Sequence, residues 1–502
     1  PNQNESNSQS ASFDAPPGVN HENLFSDFES VPRDIKVNRS ENRSRSENES
    51  HRYHWAMGVM RRLNEKGTTL GLNIQNSDSW GNNESFSLSE TTYFRLKDKN
   101  GNDSVLYRNQ YLKSPQRNNS WRVGLSFTQP VGKKVRLRVA YNWSTRYERS
   151  NRDTYELSSL ASSDIYGELP SGYEAGYVDS LSNRSHSRSN GHDLNVGVNY
   201  SDDTWMFNAS LGVTPQRRTI DRKVGKLYAD TAMNMIDFQP MIWMSWRKKE
   251  MRVSLNYNGN TRQPSLSDLM PLTDNSNPLY ITRGNPDLKQ MFSHNIRLNF
   301  QNSPKGISAN LGGQVEQNSV TQVMIYDVQT GGRETYPVNI NGNWNLSGGA
   351  SWWKRFGHFS LRLDMSGNHS NRVGMINEDK SLQPEKSTTR DTGLNCEAQA
   401  SYQPSWGGID LSPSWNYQYS LNSLNDNDTY TRYYNFGLNG YVDFPFGLQL
   451  RTDATYNLRS GTNIQKGEDD EILWNAGATW RFLKKKEAEM SASWADILRK
   501  KK

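Results

Sequence analysis

Nine times along this chain, two stretches of alternating apolar and polar residues are joined by a turn of a few residues. Tyr434, Phe436, Leu438, Gly440 and Val442 point one way, and Asn435, Asn439 and Asp443 the other. Pro445 and Gly447 make the corner, after which Leu448, Leu450, Thr452, Ala454 and Tyr456 return. A period of two gives each strand one wet and one dry face. Repeated over the whole chain it predicts a very large antiparallel sheet. The tight turns fall near 62–68, 129–133, 201–203, 247–250, 303–306, 354–358, 404–408, 444–447 and 483–487, with corner sequences such as NEKG, PVGK and SPKG.

The connections between these hairpins differ. Long polar segments are expected at about 149–191, 215–230, 259–292, 372–390 and 462–471, and shorter ones near 98–102, 327–336 and 424–429. One parity persists from Ile307 to Ile325 through Val315 and Val323, which predicts a strand longer than a bilayer needs. Residues 1–50, rich in Asn, Ser, Glu and Arg, read as an extracellular loop or disorder. Short turns and long loops therefore alternate strictly. That is the asymmetry of an outer-membrane barrel, and a soluble sandwich has no reason to keep its loops so sorted.

Composition sharpens this. Only 33% of the 502 residues are hydrophobic, with a mean hydropathy of −0.91, yet there are 15 Trp, 24 Tyr and 16 Phe, too many aromatics for a disordered chain. Alternating strands explain both facts, and barrels cross a bilayer in ~10-residue strands that hydropathy barely registers. Aromatics cluster beside the short turns, at Trp352, Trp353 and Phe356, at Tyr402 and Trp406, at Phe444 and Phe446, and at Trp480 and Phe482, with Trp246 earlier. A second set, Trp143, Tyr417, Tyr419, Tyr456 and Trp474, sits at the far strand ends, as two interfacial belts require. Arg122, Arg136 and Arg138 alternate with the apolar positions; on a lipid-facing surface each would cost about 2–4 kcal/mol, so the polar face is expected to line a wet lumen. Net charge is only +6, and the basic runs Lys484–Lys486 and Arg499–Lys502 read as solvated turns with no nucleic-acid role. Cys396, the only cysteine, lies on an alternating face as a small apolar side chain.

The stretch TRQPSLSDLMPLTDNSNPLYITRGNPDLKQ (261–290), the strand pairs around it and ADILRKKK near the end resemble the outer-membrane β-barrel family of TonB-dependent receptors of Bacteroidota type. The resemblance covers about 190–502 well and 51–190 in style only. It implies an all-β, antiparallel up-and-down transmembrane barrel of 22 strands, filled by an N-terminal plug domain and coupled through a TonB box to TonB. About 18 strands are expected here, so 51–502 reads as a partial barrel, with the plug absent and the last strand missing. Other implied partners are outer-membrane lipid, lipopolysaccharide and a surface lipoprotein. The expected location is the outer membrane of a Gram-negative bacterium.

Within 259–292, Pro264, Pro271, Pro278 and Pro286 prevent helix, and Gly284-Asn285-Pro286-Asp287 is a turn signal. Arg262, Arg283, Asp268 and Asp274 could pair internally, and with Asn275 this loop is expected to fold over the barrel mouth or to contact substrate.

Enzyme and cofactor motifs are missing: there is no phosphate loop, no zinc-protease helix and no nucleophile elbow. His51 and His54 fall on opposite faces of a strand. Glu468, Asp469, Asp470 and Glu471 form an acidic cluster, a weak candidate for a hard cation. The leading reading is energised uptake of an unidentified ligand across the outer membrane. A binding, scaffold or adhesin barrel without transport is the alternative. A surface hydrolase, using His186, His192, His294 or His369 with Asp193 or Asp274, is more remote.

Overall fold

The computed structural model describes residues 2–13, 28–158, 160, 166–269, 273–277, 279–327, 329–377, 384–462, 470–482 and 487–498. Among the described residues it is all-β: 23 strands join in one sheet, with one four-residue α-helical turn at Leu266–Leu269 and four short 3-10 turns. In chain order the strands are β1 (Asn2–Phe13), β2 (Lys36–Arg62), β3 (Thr69–Lys97), β4 (Asp103–Val131), β5 (Val135–Glu156), β6 (Asn183–Ser201), β7 (Trp205–Val224), β8 (Leu227–Lys248) and β9 (Met251–Arg262). There follow β10 (Thr273–Asn277), β11 (Tyr280–Arg283), β12 (Met291–Asn302), β13 (Ile307–Gln317), β14 (Ser319–Tyr326), β15 (Arg333–Ile340), β16 (Trp344–Phe356) and β17 (Phe359–Asn377). The last are β18 (Glu385–Tyr402), β19 (Gly407–Asn422), β20 (Asn425–Asp443), β21 (Leu448–Gly461), β22 (Asp470–Phe482) and β23 (Ala488–Trp494).

Eight of the nine short turns stand where the alternation places them: between β2 and β3, β4 and β5, β6 and β7, β8 and β9, β12 and β13, β16 and β17, β18 and β19, and β20 and β21; the ninth, expected at 483–487 between β22 and β23, lies outside the described residues but for Glu487. Those eighteen strands form the wall, each antiparallel to its neighbour, and β1 adds to the outer end of β2. Among the described residues no pairing joins β23 to β1 or β2. Gly447 shows how a corner is made: its φ is +86°, and a Cβ there would sit 2.2 Å from the Arg481 carbonyl oxygen. In another corner Asp202 accepts hydrogen bonds from the Thr204 and Trp205 amides (3.0 and 2.7 Å) and from the Tyr200 hydroxyl. These bonds hold its carboxyl well below the usual carboxylate range, with the Tyr200 bond the largest cause.

Four expectations about loops fail for one physical reason. At 372–390 the strands β17 and β18 simply continue, paired through Ile376↔Glu385. Residues 2–13 and 36–50 are strand, paired from Asn2↔Asn48 to Phe13↔Lys36. Residues 215–230 are the tip of the β7–β8 hairpin, paired through Val224↔Leu227, and 149–156 and 183–191 continue β5 and β6. Beyond a bilayer both faces of a strand are wet, so the apolar alternation that marks a strand disappears while the backbone ladder goes on. The continuous strand expected from Ile307 to Ile325 fails differently. Asn318 has φ +53° and breaks it: β13 pairs with β16, whereas β14 pairs antiparallel with β15 and parallel with β17.

The two faces are chemically distinct along the wall. One cross-strand row runs Leu411↔Leu438, Leu438↔Ala454 and Ala454↔Trp474, and another joins Leu125↔Tyr141 and Tyr141↔Leu194. Leu125, Phe127, Leu137, Val139, Leu194, Leu311, Leu411 and Phe436 are all exposed, so the apolar side is a broad bare band rather than a core. Cys396 lies in it, opposite Met365 and Trp415. No helix among the described residues is long and apolar enough to cross a membrane, which says nothing of strands.

Candidate functional site

The polar face carries local groups of hydrogen-bonded side chains. Asn142 donates to Asp193 (2.9 Å) and Thr214 to the other oxygen of the same carboxylate (3.2 Å). Asn475 donates to Asp453 (2.7 Å), and Tyr433 and Asn435 both donate to Asn457 (2.6 Å each). Arg122, Arg136 and Arg138 lie on this face: Arg122 opposes Gln75 and Ser144, Arg136 opposes Asn199, and Arg138 opposes Thr128 and Gly197. Sequence alternation alone places all three together.

Toward the end away from the short turns this face holds a recess of about 640 Å³, lined in part by Gln314, Glu316, Asn345, Asn368, Arg372 and Asp391. Arg372 makes two bonds to one Asp391 oxygen (3.2 and 2.6 Å), and Ser420 donates to the other (2.7 Å). Ser319 and Gln314 donate to the two oxygens of Glu316 (2.8 and 2.9 Å). Gly393 keeps the recess open, since a Cβ there would lie 2.5 Å from Asn368 Oδ1. None of these residues was picked out from sequence. The signal was present, because Asp391, Gly393, Asn395 and Glu397 alternate with Thr392, Leu394 and Cys396, but the long-loop expectation for 372–390 hid the upper part.

The 259–292 segment is an ordered part of the mouth. Pro240 has no N–H to donate, and the β8–β9 ladder stops beside it at Met241↔Asn258. Thr261 repairs the gap: its hydroxyl accepts from the Phe238 amide (2.9 Å) and donates to the Phe238 carbonyl (3.2 Å). Pro264 is buried, and Ser265 bonds Asp268 through both the side chain (2.6 Å) and the backbone (3.1 Å) to cap the helical turn. β11 pairs parallel with β15, and Asn285 donates to the Pro337 carbonyl (3.0 Å). Asn285 also accepts from the Asp287 amide (3.0 Å), which builds the turn around Pro286. Lys289 and Asn339 exchange two bonds (2.7 and 2.9 Å). The internal pairing expected of the charges is corrected: Arg283 reaches out of the loop to Glu334 (3.3 Å) and lies over the Tyr336 ring (4.6 Å), and Asp268 serves the helical cap. Arg262 is exposed, paired in the ladder with Met291. Asp274 pairs with Thr282 through the backbone; its side chain and that of Asn275 lie outside the described residues.

Through these links β10, β11, β15 and β14 form a branch of the same sheet, the side sheet, joined to the wall at β17 over one part of the mouth. From the other part, the outer end of β2 meets it. Asn38 donates to the Thr330 carbonyl (2.8 Å), and a Cβ on Gly331 would lie 2.6 Å from Asn38 and 2.8 Å from Val37. Strands far apart along the wall therefore touch above it.

The remaining expectations divide. Trp480 and Phe482 pack together (4.9 Å), as do Phe444 and Phe446 (5.5 Å), and Trp406 is exposed at its turn. Trp352 opposes Leu363 on the apolar face, but Trp353 opposes Arg362 and so lies on the polar one; adjacent strand residues cannot both join one belt. Asp470 and Glu471 are also adjacent in a strand, opposing Leu458 and Asn457, so they cannot close on one ion; Glu468 and Asp469 lie outside the described residues, as do Lys484–Lys486 and Arg499–Lys502. Among the described residues no cluster of three metal-type ligands occurs. His192 is bonded to Tyr141 (2.7 Å), His294 to Tyr257 (3.1 Å) and His369 to Thr392 (2.8 Å), and Asp193 faces the opposite side from His192. Of these four histidines only His186 has a carboxylate near it among the described residues, Asp221 at 3.5 Å.

These features define an outer-membrane β-barrel. Residues 61–502 match the outer membrane protein beta-barrel family, and the chain belongs to it. The protein therefore resides in the outer membrane of a Gram-negative bacterium. Among solved structures it is similar to the FrpB iron transporter from Neisseria meningitidis (10% identity, TM-score 0.38, covering 91% of this chain and 77% of that one). It is also similar to BauA, the ferric preacinetobactin receptor from Acinetobacter baumannii (12%, 0.36, 91% and 73%), and to the outer membrane transporter YddB from Escherichia coli (9%, 0.33, 92% and 72%). No curated protein matches the chain.

Proposed function

We propose that this chain is the barrel of a TonB-dependent receptor that imports a polar ligand across the outer membrane. The observation that carries the reading is the polar face, which is continuous from Arg136 and Arg138 near the short turns to the Glu316–Arg372–Asp391 recess under the side sheet. Such a face suits the inside of a barrel, because charge there costs little, while the apolar band suits lipid. The resemblance at 261–290 adds the plug and TonB as partners and the energised membrane as the source of work. The hydrogen-bonded side chains of the recess would orient a ligand; no covalent chemistry is assigned to them.

A binding barrel without transport is the second reading. It is favoured by β3 and β4, 29 residues each, which reach far beyond what a bilayer needs and expose Val105 and Tyr107 near their tip. Whole-cell accumulation of candidate polar solutes, in the native host with and without the gene, separates the two. Uptake that is lost on deletion and also abolished by a protonophore is the expected result. Surface binding lost on deletion, with unchanged accumulation, would overturn import in favour of the binding barrel.

A further inference from the structure

We propose that the outward face carries a phosphate-binding patch for an anionic glycolipid of the outer leaflet, formed by Arg117, Arg149, Arg188 and His186. The register places them. His51 opposes Trp80, Trp80 opposes Arg117, Arg117 opposes Arg149, and Arg149 opposes His186, in one unbroken row across β2 to β6. Arg188 lies diagonally next to Arg149, one same-face step along β6. No bulge falls between this row and the apolar band, the one register shift of the β3–β4 ladder lying beyond it at Tyr93/Lys97, so the row shares its face with Leu125, Phe127, Leu137 and Val139 and continues the band.

Height is fixed by the same count. Trp121 lies ten residues from Val131 at the short turn, about 24 Å along the membrane normal for a strand tilted by 45°. That is the top of an apolar band, and Trp55 packs edge-on against Trp121 there (5.5 Å). Arg117 is four residues further, about 9 Å higher, at headgroup level.

Charge then points to an anion. Like charges directly opposite on a sheet repel, yet Arg117 faces Arg149, and Arg149 faces an imidazole. Asp78 offsets Arg117 (3.3 Å) and Asp221 lies beside His186 Nδ1 (3.5 Å). His186 Nε2 is enclosed and without a hydrogen-bond partner. Arg149 and Arg188 are exposed and have no carboxylate partner among the described residues; with its amide turned to accept, Asn151 offers Arg149 a neutral oxygen at 3.0 Å. Guanidinium forks over an aromatic row suit a phosphomonoester on a sugar whose acyl chains lie against the band below. The inference rests on the outward assignment of the apolar face and not on transport.

The test uses purified, delipidated full-length protein in detergent, offered bisphosphorylated lipid A or the same lipid enzymatically dephosphorylated, with retained lipid read by native mass spectrometry. The expected result is preferential retention of the phosphorylated lipid, falling about tenfold in Arg149→Glu/Arg188→Glu and less in Arg149→Gln/Arg188→Gln, but not in the polar-face control Arg138→Glu. Equal retention of the two lipids by the wild-type protein would overturn the proposal, and that comparison stands even if a variant fails to fold. Complete displacement by equimolar inorganic phosphate would instead assign the patch to a free anion and overturn the glycolipid.

Discussion

The wall is tall on one side and short on the other. β3 and β4 run 29 residues each, whereas β16 and β22 run 13 and β21 runs 14. Both sides carry the same apolar band, Leu125 and Leu137 in the tall part and Leu411 and Leu438 in the short part. The difference is therefore extramembranous. The band is set by lipid and is the same everywhere, whereas the tall part spends its extra length on ladders with water on both faces, and its tip reaches back over the mouth. One part is a membrane wall; the other is a membrane wall with a surface structure built on it.

If that division is correct, the largest effects should be shared by both parts. Leu125→Arg and Leu411→Arg should each cost about 2–4 kcal/mol in denaturant unfolding from phospholipid vesicles, while Ser126→Arg and Ser412→Arg, one residue away on the other face, should cost far less. Unequal costs at the two leucines would break the comparison. Next, Arg283→Ala removes an ion pair and a ring contact from the side sheet and should weaken it by about 1 kcal/mol, read as faster amide exchange in β11 and β15 with the band unchanged. Asn38→Ala should act only where the tall part meets the β14–β15 tip: loss of one hydrogen bond, about 1 kcal/mol, should speed exchange near Thr330 and leave β19–β22 untouched.

The smallest effect concerns acid. The folded protein holds Asp202 below its ordinary pKa, so its contribution is present above the unfolded value and lost as pH falls below it. Asp202→Asn should therefore lower stability slightly at neutral pH and erase that part of the acid dependence, as pH-dependent unfolding of the two proteins would record.

What was legible in the sequence follows the same division. Eight of the nine short turns and the polar placement of Arg122, Arg136 and Arg138 could be read, because a bilayer forces an apolar face onto one side of each strand. Asn2–Phe13 could not, since NQNESNSQSASF meets β2 through its backbone and polar side chains, such as Glu5 with Arg43 (3.0 Å), and leaves no apolar period. Nor could the break at Asn318, where Val315 and Val323 keep one parity across a residue that changes the strand's partner. The recess was missed because its charges, Glu316, Arg372 and Asp391, come from three strands and meet only through register.

The central claim is that the apolar face lies against lipid and the polar face lines the interior. It is tested most directly by single cysteines at Leu411 and Ser412, placed in a Cys396→Ser background and exposed in intact outer membranes to a water-soluble maleimide. The account predicts labelling of Ser412→Cys, with Leu411→Cys reacting only with a lipid-soluble reagent. Labelling of Leu411→Cys from water with Ser412→Cys protected would contradict it.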